Sequence, residues 1–427
     1  MANNFIGSNN INLLEPSGQF GSRIQGGKDS ASARYINTRL NTLTRLIYSP
    51  HDDELLKYLN DDGASIEPEW YLPILPMVLV NGADGIGTGW STSIPNFNPR
   101  DIVANLKNLM DGKELVPMSP WYRGFQGEIE KVNDDKYKVS GIIERDNAKD
   151  NVIHITELPI KVWTQNYEND LKKLMSEDNK TNTYIKGYFD ESTLWRPNFE
   201  VILDDELVDA THEDLEKRFK TTSYLNTSNM VCFDKDGRLK KYGSPEEMLE
   251  EFYHVRLEYY FKRKEHLLKK IELECKKLRN KNRFIKMKIN RSLQFEGLKR
   301  VDIINLLESE GFDKIRGKDE TSANENDNDN SSGYDYLMRT IAWNFSEEEA
   351  QKLDQLHNEK SKELSILRDK RPTELWIEDL DKFLEEWNVA ETEFKKIVSG
   401  GVSKEGDGKR TVKSKTKANI KSKSVKR

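Results

Sequence analysis

The feature that most constrains this chain is a long helical pattern between residues 245 and 297. At 1.5 Å per residue, roughly 45 residues make an arm on the order of 65 Å long. A stripe of apolar side chains this narrow cannot bury itself in isolation, so the chain must supply a partner. The stripe recurs at three- and four-residue steps among many charges, at Leu249, Tyr253, Leu257, Tyr260, Leu267, Ile271, Cys275, Leu278, Ile285 and Ile289.

The partner is predicted at 346–370, where leucines form a second narrow seam before Pro372 ends the helix. Thr373 is predicted to cap a further helix. We therefore predict a long antiparallel coiled-coil arm with a small helical tip at about 298–344. A plain antiparallel helical hairpin explains the two arms equally well, but it does not explain the apolar residues of the tip. An insertion rich in Asn, Asp and Ser at 318–333 is predicted to be disordered.

Strand patterns occupy the region between about 125 and 240. Alternation of apolar and polar residues predicts strands, and Asp236-Gly237 predicts a hairpin turn. Before this region, helical spacing is found at 30–48, an apolar run typical of a buried strand at 72–80, and a proline-initiated helix at 99–110. The fold class is therefore predicted as α+β with several domains. The predicted strands are 127–132, 137–144, 152–158, 199–203 and 230–233.

Composition limits the classes of function. Charged residues make up 33% and apolar residues 36% of the 427 residues, which suits two to four domains with long exposed helices. The formal net charge is −6, from 67 basic and 73 acidic residues. A net acidic chain does not indicate nucleic-acid binding, so any such contact must come from local basic surface.

Neither the cysteines nor the apolar runs suggest a secreted or membrane protein. Cys232 and Cys275 lie far apart without metal-ligand spacing, which is typical of buried thiols in a reducing compartment. No signal peptide is visible, and no apolar run is long enough to cross a bilayer. We expect a soluble intracellular protein with no membrane partner.

A candidate nucleophile lies near the start of the chain, in the segment from Gly26 to Tyr35. Glycines and small residues let a large ligand approach the backbone. Lys28 and Arg34 supply the positive charge that a phosphodiester requires. Tyr35 offers a phenol oxygen, which is a possible nucleophile. Alone this signal is weak, because most tyrosines pack in cores or interfaces.

Longer blocks surround this tyrosine. Gly7-Ser8-Asn9-Asn10-Ile11-Asn12-Leu13-Leu14 and Gly18-Gln19-Phe20-Gly21-Ser22-Arg23 precede it, and the stretch from Glu69 to Ser91 follows it. Together these blocks closely resemble the breakage-reunion region of eukaryotic DNA topoisomerase II, a type IIA topoisomerase. The resemblance extends from about Phe5 to about Ile397.

The resemblance implies a domain organisation. Residues 1–70 would form part of a winged-helix domain, 71–244 a DNA-bending tower domain, 245–399 the coiled-coil arms and exit gate, and 400–427 a basic disordered tail. The tail carries ten Lys or Arg against two Asp or Glu, so it suits DNA binding, nuclear import or both. The ATPase domain, the Toprim domain and the recognition helices of the winged-helix domain are expected outside this chain.

The resemblance also implies the residues that act. Tyr35 would attack a DNA phosphorus, and Arg34 would stabilise the charge that develops there. Ile86, flanked by glycines, would wedge between base pairs and bend the duplex. For Trp163, a core position and a DNA-facing edge are equally supported. The remaining expected DNA contacts are Arg23, Lys28, Lys220, Thr221, Thr222 and Ser223.

The expected function is that of a type II DNA topoisomerase, an isomerase that cleaves both strands through a 5′-phosphotyrosyl link, passes a second duplex and religates. It would act as a homodimer in the nucleus, in chromosome segregation, with Mg²⁺ and ATP bound outside this chain. No metal ligand set is expected here, since Asp52-Asp53 and similar pairs suit solvated surface. The alternative is a non-catalytic DNA-binding and dimerising scaffold in which Tyr35 is never activated.

Overall fold

The computed structural model describes residues 1–175, 184–315, 333–400 and 413–414. The chain divides into two compact units, one of residues 1–256 with 376 onward and the other of residues 257–375. Both contain long helices, and the first also contains antiparallel sheets. The mixed α and β content is confirmed, whereas the predicted boundaries of four domains stay predictions.

Three two-stranded antiparallel sheets occupy the first hundred residues. They pair β1 (Leu14–Ser17) with β2 (Asn37–Leu40), β3 (Tyr58–Asp61) with β4 (Ala64–Pro68), and β5 (Ala83–Ile86) with β6 (Ser91–Ile94).

The predicted helix at 30–48 is wrong. In its place are a 3₁₀ turn at Ala33–Tyr35, strand β2, and a four-residue helix α1 (Thr44–Ile47). Leu14 pairs with Leu40 across β1 and β2, so a partner more than twenty residues upstream takes the backbone hydrogen bonds that a helix needs.

The apolar run at 72–80 is also not a strand. Pro76 precedes a short helix, α2 (Met77–Asn81), whose Leu79 and Val80 are fully buried. The next predicted helix is confirmed as α3 (Pro99–Met110). Asn98 caps it by accepting a hydrogen bond from the amide of Arg100.

Two larger antiparallel sheets follow. Their strands are β7 (Glu128–Asn133), β8 (Lys136–Ser140), β9 (Ile142–Arg145), β10 (Val152–Glu157), β11 (Ile185–Asp190), β12 (Phe199–Leu203), β13 (Thr222–Asn226) and β16 (Lys413–Ser414). One sheet has the order β13-β8-β7, and the other has the order β16-β11-β12-β10-β9.

The single strand predicted at 137–144 is split at Gly141 between these two sheets. A Cβ at Gly141 would lie 2.3 Å from the carbonyl oxygen of Glu157, so only glycine fits where the chain changes sheet. Helices α4 (Thr164–Met175) and α5 (His212–Arg218) complete this region. The core that they cover includes Ile153, Ile155, Tyr188, Phe199 and Val201.

The predicted hairpin at Asp236-Gly237 is confirmed between β14 (Met230–Phe233) and β15 (Leu239–Tyr242). Gly237 has a φ of +76°, and the carboxylate of Asp234 accepts hydrogen bonds from the amides of Asp236 and Arg238. The turn therefore satisfies its own backbone donors.

The two predicted arm helices are confirmed as α6 (Pro245–Ile289) and α9 (Glu347–Asp369), and the further helix is confirmed as α10 (Pro372–Gly400). Between the two arms, the tip contains the shorter helices α7 (Arg300–Ser309) and α8 (Asp335–Met338). Helices α6 and α9 run antiparallel, because Glu272 pairs with Arg368 whereas Lys286 pairs with Asp354. Their apolar seam joins Ile285 to Ala350 and Leu353.

The tip of the second unit has a core of its own, formed by three aromatic residues and three leucines: Phe284, Leu293, Leu307, Phe312, Tyr334 and Leu337. The predicted insertion at 318–333 lies outside the described residues except for Gly333. The predicted basic tail also lies outside them, apart from Gly400 and the two residues of β16. Among the helices that the structure describes, none is long and apolar enough to cross a membrane.

Candidate nucleophile and nucleic-acid interface

Tyr35 closes the 3₁₀ turn Ala33–Tyr35, and its side chain is 69% exposed. Its amide donates to the carbonyl of Ser32 at 2.9 Å, which fixes the backbone while the ring stays outside the core. The guanidinium carbon of Arg34 lies 4.9 Å from the centroid of the Tyr35 ring. The turn therefore presents a phenol and a cation together at the surface.

The loop before this turn is held by its own polar groups. Asp29 accepts hydrogen bonds from the amide and hydroxyl of Ser22 and from the side chain of Gln19. Burial acts to raise the pKa of Asp29, but the hydrogen bonds from Ser22 hold that pKa below its ordinary value. The loop also crosses itself closely, since a Cβ on Gly21 would lie 2.5 Å from the Cα of Gly27.

Lys28 on this loop and Arg34 in the turn that follows it are both exposed. Within residues 1–175, 184–315 and 333–400, neither of them has an acidic partner within ion-pair distance. Both cations are therefore available to a phosphate.

Arg23 does not belong to this exposed set, so its prediction as a DNA contact is wrong. Its side chain is 2% exposed and pairs with the buried carboxylate of Glu157. It also donates to the carbonyl of Leu158 at 3.1 Å. A guanidinium with these partners is buried in the protein and does not reach a phosphate.

Trp163 is half-buried beside the same loop. Its ring meets Phe5 edge-on, with 5.8 Å between centroids, and lies directly against Gly26. Any Cβ on Gly26 would approach the indole to 2.3 Å. These contacts agree with the expectation that Trp163 packs as a core aromatic. A contact between DNA and the exposed part of the ring stays a prediction.

Among the described residues of the first unit, Ile86 is the most exposed large apolar residue, with 94% of its surface accessible. It ends β5, and the tip of the β5–β6 hairpin is closed by a hydrogen bond from the amide of Gly87 to the carbonyl of Trp90. The hairpin is held from the side, because the amide of Ser93 donates to the carbonyl of Asn229 at 2.9 Å. The structure thus presents an aliphatic tip on a fixed hairpin.

The segment from Lys220 to Ser223 is only partly available. Lys220 is exposed and lies 3.9 Å from Asp170, while Thr222 and Ser223 are partly exposed in β13. Thr221 is 1% exposed, and both its amide and its hydroxyl donate to the carbonyl of Glu216. The predicted DNA contact by Thr221 is therefore wrong, because its hydroxyl caps the end of α5.

Comparison with known proteins identifies the family. The family of A-type subunits of DNA gyrase and topoisomerase IV matches residues 1–381. The chain belongs to this family. The resemblance seen in the sequence blocks is thereby confirmed.

Curated relatives of this family member include DNA topoisomerase 2 of Penicillium chrysogenum, 42% identical over 409 residues, which covers 92% of this chain and 26% of the relative. DNA topoisomerase 2 of Arabidopsis thaliana is 42% identical over 440 residues, covering 95% of this chain and 29% of the relative. The chain therefore spans little more than a quarter of these relatives' length.

A solved structure is also similar. It is the crystal structure of the Plasmodium falciparum topoisomerase II DNA-binding, cleavage and re-ligation domain. The TM-score is 0.82 at 38% identity, covering 92% of this chain and 55% of that chain. The arrangement of strands and long helices in this chain therefore resembles that of part of this solved domain.

The sequence did not predict that some charged residues of this family member are buried. Asp52 was expected on solvated surface, but it is 2% exposed, and its carboxylate pairs with Arg256 at 2.6 Å. Its sequence neighbours His51, Asp53 and Glu54 are polar, so nothing near it in the chain indicates burial or the distant cation. Trp90, 53% exposed on the hairpin of Ile86, was also not singled out, although an aromatic between Gly89 and Ser91 was visible.

Proposed function

We propose that this chain is the DNA-cleaving part of a type II DNA topoisomerase. The observation that carries the proposal is the exposure of the Tyr35 ring with the Arg34 guanidinium against it. A tyrosine packed for stability would be buried, and a cation beside an open phenol suits attack on a phosphodiester.

In the proposed step, the Tyr35 oxygen attacks phosphorus in line as the bond from phosphorus to the 3′ oxygen breaks. The phenol loses its proton, and the leaving 3′ oxygen gains one. The products are a phosphotyrosyl link to the 5′ end and a free 3′-OH. Because the new ester conserves the energy of the old one, religation is the reverse reaction and needs no ATP. Arg34 stabilises charge on the equatorial oxygens.

A phenol is mostly protonated at neutral pH, so a base or a metal must assist its ionisation. Within the described ranges, no group of three or more His, Cys, Asp or Glu is arranged to hold a metal ion. The described residues therefore offer no cluster of three such ligands for Mg²⁺, and the proposed step uses no metal bound to this chain. Mg²⁺ and ATP remain expected cofactors of the intact enzyme.

Ile86 is proposed as the wedge that bends the duplex. Its exposed tip suits insertion between base pairs, and the glycines beside it let the backbone approach DNA. Unstacking a step costs a few kcal/mol, which the wider contact of a bent duplex offsets. In this proposal, residues 71–244 form the tower domain, beside the partial winged-helix domain of residues 1–70.

Two copies of the chain are proposed to join through the tip of the second unit. Ile341 and Trp343 there are 65% and 91% exposed, which is an unusual state for such large apolar side chains in a monomer. A homodimer brings two tyrosines to one duplex, one for each strand. The proposed location is the nucleus, where DNA topology is managed.

The scaffold alternative is less favoured, because the curated relatives are named DNA topoisomerase 2. A cleavage assay separates the two roles. Supercoiled DNA and Mg²⁺ are mixed with the full chain and a Toprim-containing polypeptide of the same family, with Tyr35→Phe as the control. Protein-linked linear DNA that disappears with Tyr35→Phe supports cleavage, whereas no Tyr35-dependent adduct supports the scaffold.

A further inference from the structure

One short segment, residues 157–163, contacts both the loop that leads to Tyr35 and the hairpin that carries Ile86. It begins at the end of β10, where the strand pairing is irregular between Ile155 and Glu157. It ends at Trp163, just before α4. Three of its side chains point to the two functional elements, and none of them contacts Tyr35 or Ile86 directly.

The first contact is the buried pair of Glu157 and Arg23. The Glu157 carboxylate is 0% exposed and also accepts from the amide of Gln126 at 3.2 Å and from its neighbour Leu158 at 3.0 Å. A buried ion pair with its remaining lone pairs satisfied holds a single geometry. The pair thus fixes the start of the loop that leads to Tyr35 against the sheet.

The second contact is the indole of Trp163 under Gly26. No side chain larger than hydrogen fits at Gly26, because its Cβ would lie 2.3 Å from the ring. Beside this contact, the amide of Gln165 donates to the carbonyl of Ile24 at 3.0 Å. The loop is therefore held to segment 157–163 and to the residues just after it at two separate places.

The third contact is Lys161, whose ammonium pairs with the carboxylate of Asp84 at the base of the Ile86 hairpin. Lys161 has a φ of +68°, a region that side-chain-bearing residues rarely adopt. Glycine would relieve this strain but would lose the ion pair. Because Lys161 keeps this strained backbone while its side chain contacts the Ile86 hairpin, a functional constraint on this position is suggested.

We propose that segment 157–163 positions the Tyr35 loop and the Ile86 hairpin relative to each other. Glu157, Lys161 and Trp163 are its positioning residues, and they set the distance between the nucleophile and the wedge. This proposal rests on the proposed function. The consequence is that the cleaved phosphodiester lies at a fixed number of base pairs from the bend, so DNA bent elsewhere is not cut.

A distance measurement tests the proposal without any requirement for activity. Spin labels are placed on Ser32→Cys and Gly85→Cys in the full chain, with Cys232 and Cys275 replaced by serine. Ser32 is exposed, and a Cβ on Gly85 meets nothing within 4 Å. Pulsed electron resonance should give one narrow distance for this protein and a broader distribution for Lys161→Met or Lys161→Gly.

Rescue variants make the test specific. Lys161→Arg keeps the charge, and the exchange Asp84→Lys with Lys161→Asp restores the pair in reverse, so both should return the narrow distance. Lys113→Met breaks another exposed ion pair, with Asp111, and should leave the distance unchanged. If Lys161→Met and Lys161→Gly give the same narrow distribution as Lys113→Met, the positioning role is overturned.

A cleavage assay with the supplied Toprim-containing polypeptide gives the functional result. Because exposed ion pairs contribute little, Lys161→Met should reduce adduct yield by about two- to fivefold and spread the cut over neighbouring phosphodiesters, with DNA affinity unchanged. A sharp, unshifted cut in Lys161→Met overturns the positioning role alone. Absence of an adduct from the unsubstituted chain overturns the proposed function, while the label distances still decide for or against the positioning role.

Discussion

Arg23 and Glu157 form a buried ion pair between residues 134 positions apart in the chain. The pair joins the loop that leads to Tyr35 to the end of a central strand. Because of this pair, Arg23 is not available to DNA, although it lies in a glycine-rich loop that we propose binds DNA. Substitution of Arg23 should therefore affect stability, whereas substitution of the nearby Lys28 should affect DNA binding.

Arg23→Ala should lower the free energy of unfolding by about 3–5 kcal/mol, because it leaves the Glu157 carboxylate buried without its cation. Urea denaturation of the full chain measures this loss, with Lys28→Ala as the matched control expected to change stability little. A stable Arg23→Ala protein with weakened DNA binding would mean that Arg23 is a phosphate contact after all.

Lys28→Ala should weaken DNA binding through the loss of one phosphate contact. The slope of log affinity against log salt should become shallower by about 0.9, the value for one contact on B-DNA. Fluorescence anisotropy over a salt series measures the slope, and Lys113→Ala, whose ammonium pairs with Asp111, is the control. An unchanged slope for Lys28→Ala would remove this lysine from the interface.

Ile86→Ala should reduce DNA bending while unbent binding is largely preserved, since the shortened side chain cannot hold base pairs apart. Energy transfer between dyes at the two ends of a duplex reports the bend. Val116→Ala removes another exposed aliphatic side chain and should not alter it. Equal bending by Ile86→Ala and the unsubstituted chain would contradict the wedge role.

Ser22→Ala should raise the pKa of Asp29 toward its ordinary value of 3.8. A carboxyl group whose folded pKa is depressed stabilises the fold above its unfolded pKa, and this contribution is lost as pH falls through the folded pKa. The 18–32 loop should therefore loosen at higher pH in Ser22→Ala than in the unsubstituted chain. Carboxyl NMR titration measures the pKa, and an identical Asp29 titration in both proteins would contradict the assignment.

Trp343→Ala should weaken self-association, because the side chain is 91% exposed and loses its apolar contact area on truncation. Light scattering across a concentration series measures the fraction of dimer. Phe233→Ala, which removes a 69% exposed aromatic from the first unit, is the control. A dimer that dissociates equally with either substitution, or with neither, would exclude Trp343 from the contact.

The sequence predicted elements whose information is local. The seams of α6 and α9 repeat every three or four residues, and Pro99 with Asn98 defines the start of α3. Errors arose where a distant partner decides the structure. The helical spacing at 30–48 is overridden by the pairing of β2 with β1. The error at 72–80 has a different cause, because an apolar run this short does not tell a strand from a helix.

The candidate site shows the same limit. Exposure of Tyr35 and Ile86 followed from small neighbours and glycines, which are visible in the sequence. Burial of Arg23 and Asp52 did not, because Glu157 and Arg256 lie far along the chain. Likewise, a hydroxyl such as that of Thr221 can contact a phosphate, but in the structure it donates to the carbonyl of Glu216 near the end of α5. Residue type indicates chemistry, whereas tertiary contacts decide availability.

The most direct test is to identify the amino acid that carries DNA after cleavage. The full chain, with the Toprim-containing polypeptide and Mg²⁺, is trapped on supercoiled DNA, digested with nuclease and protease, and sequenced by mass spectrometry. We expect a 5′-linked nucleotide on Tyr35 and none in Tyr35→Phe. A nucleotide on another residue, or a covalent complex that persists in Tyr35→Phe, would contradict the role of Tyr35 as the nucleophile.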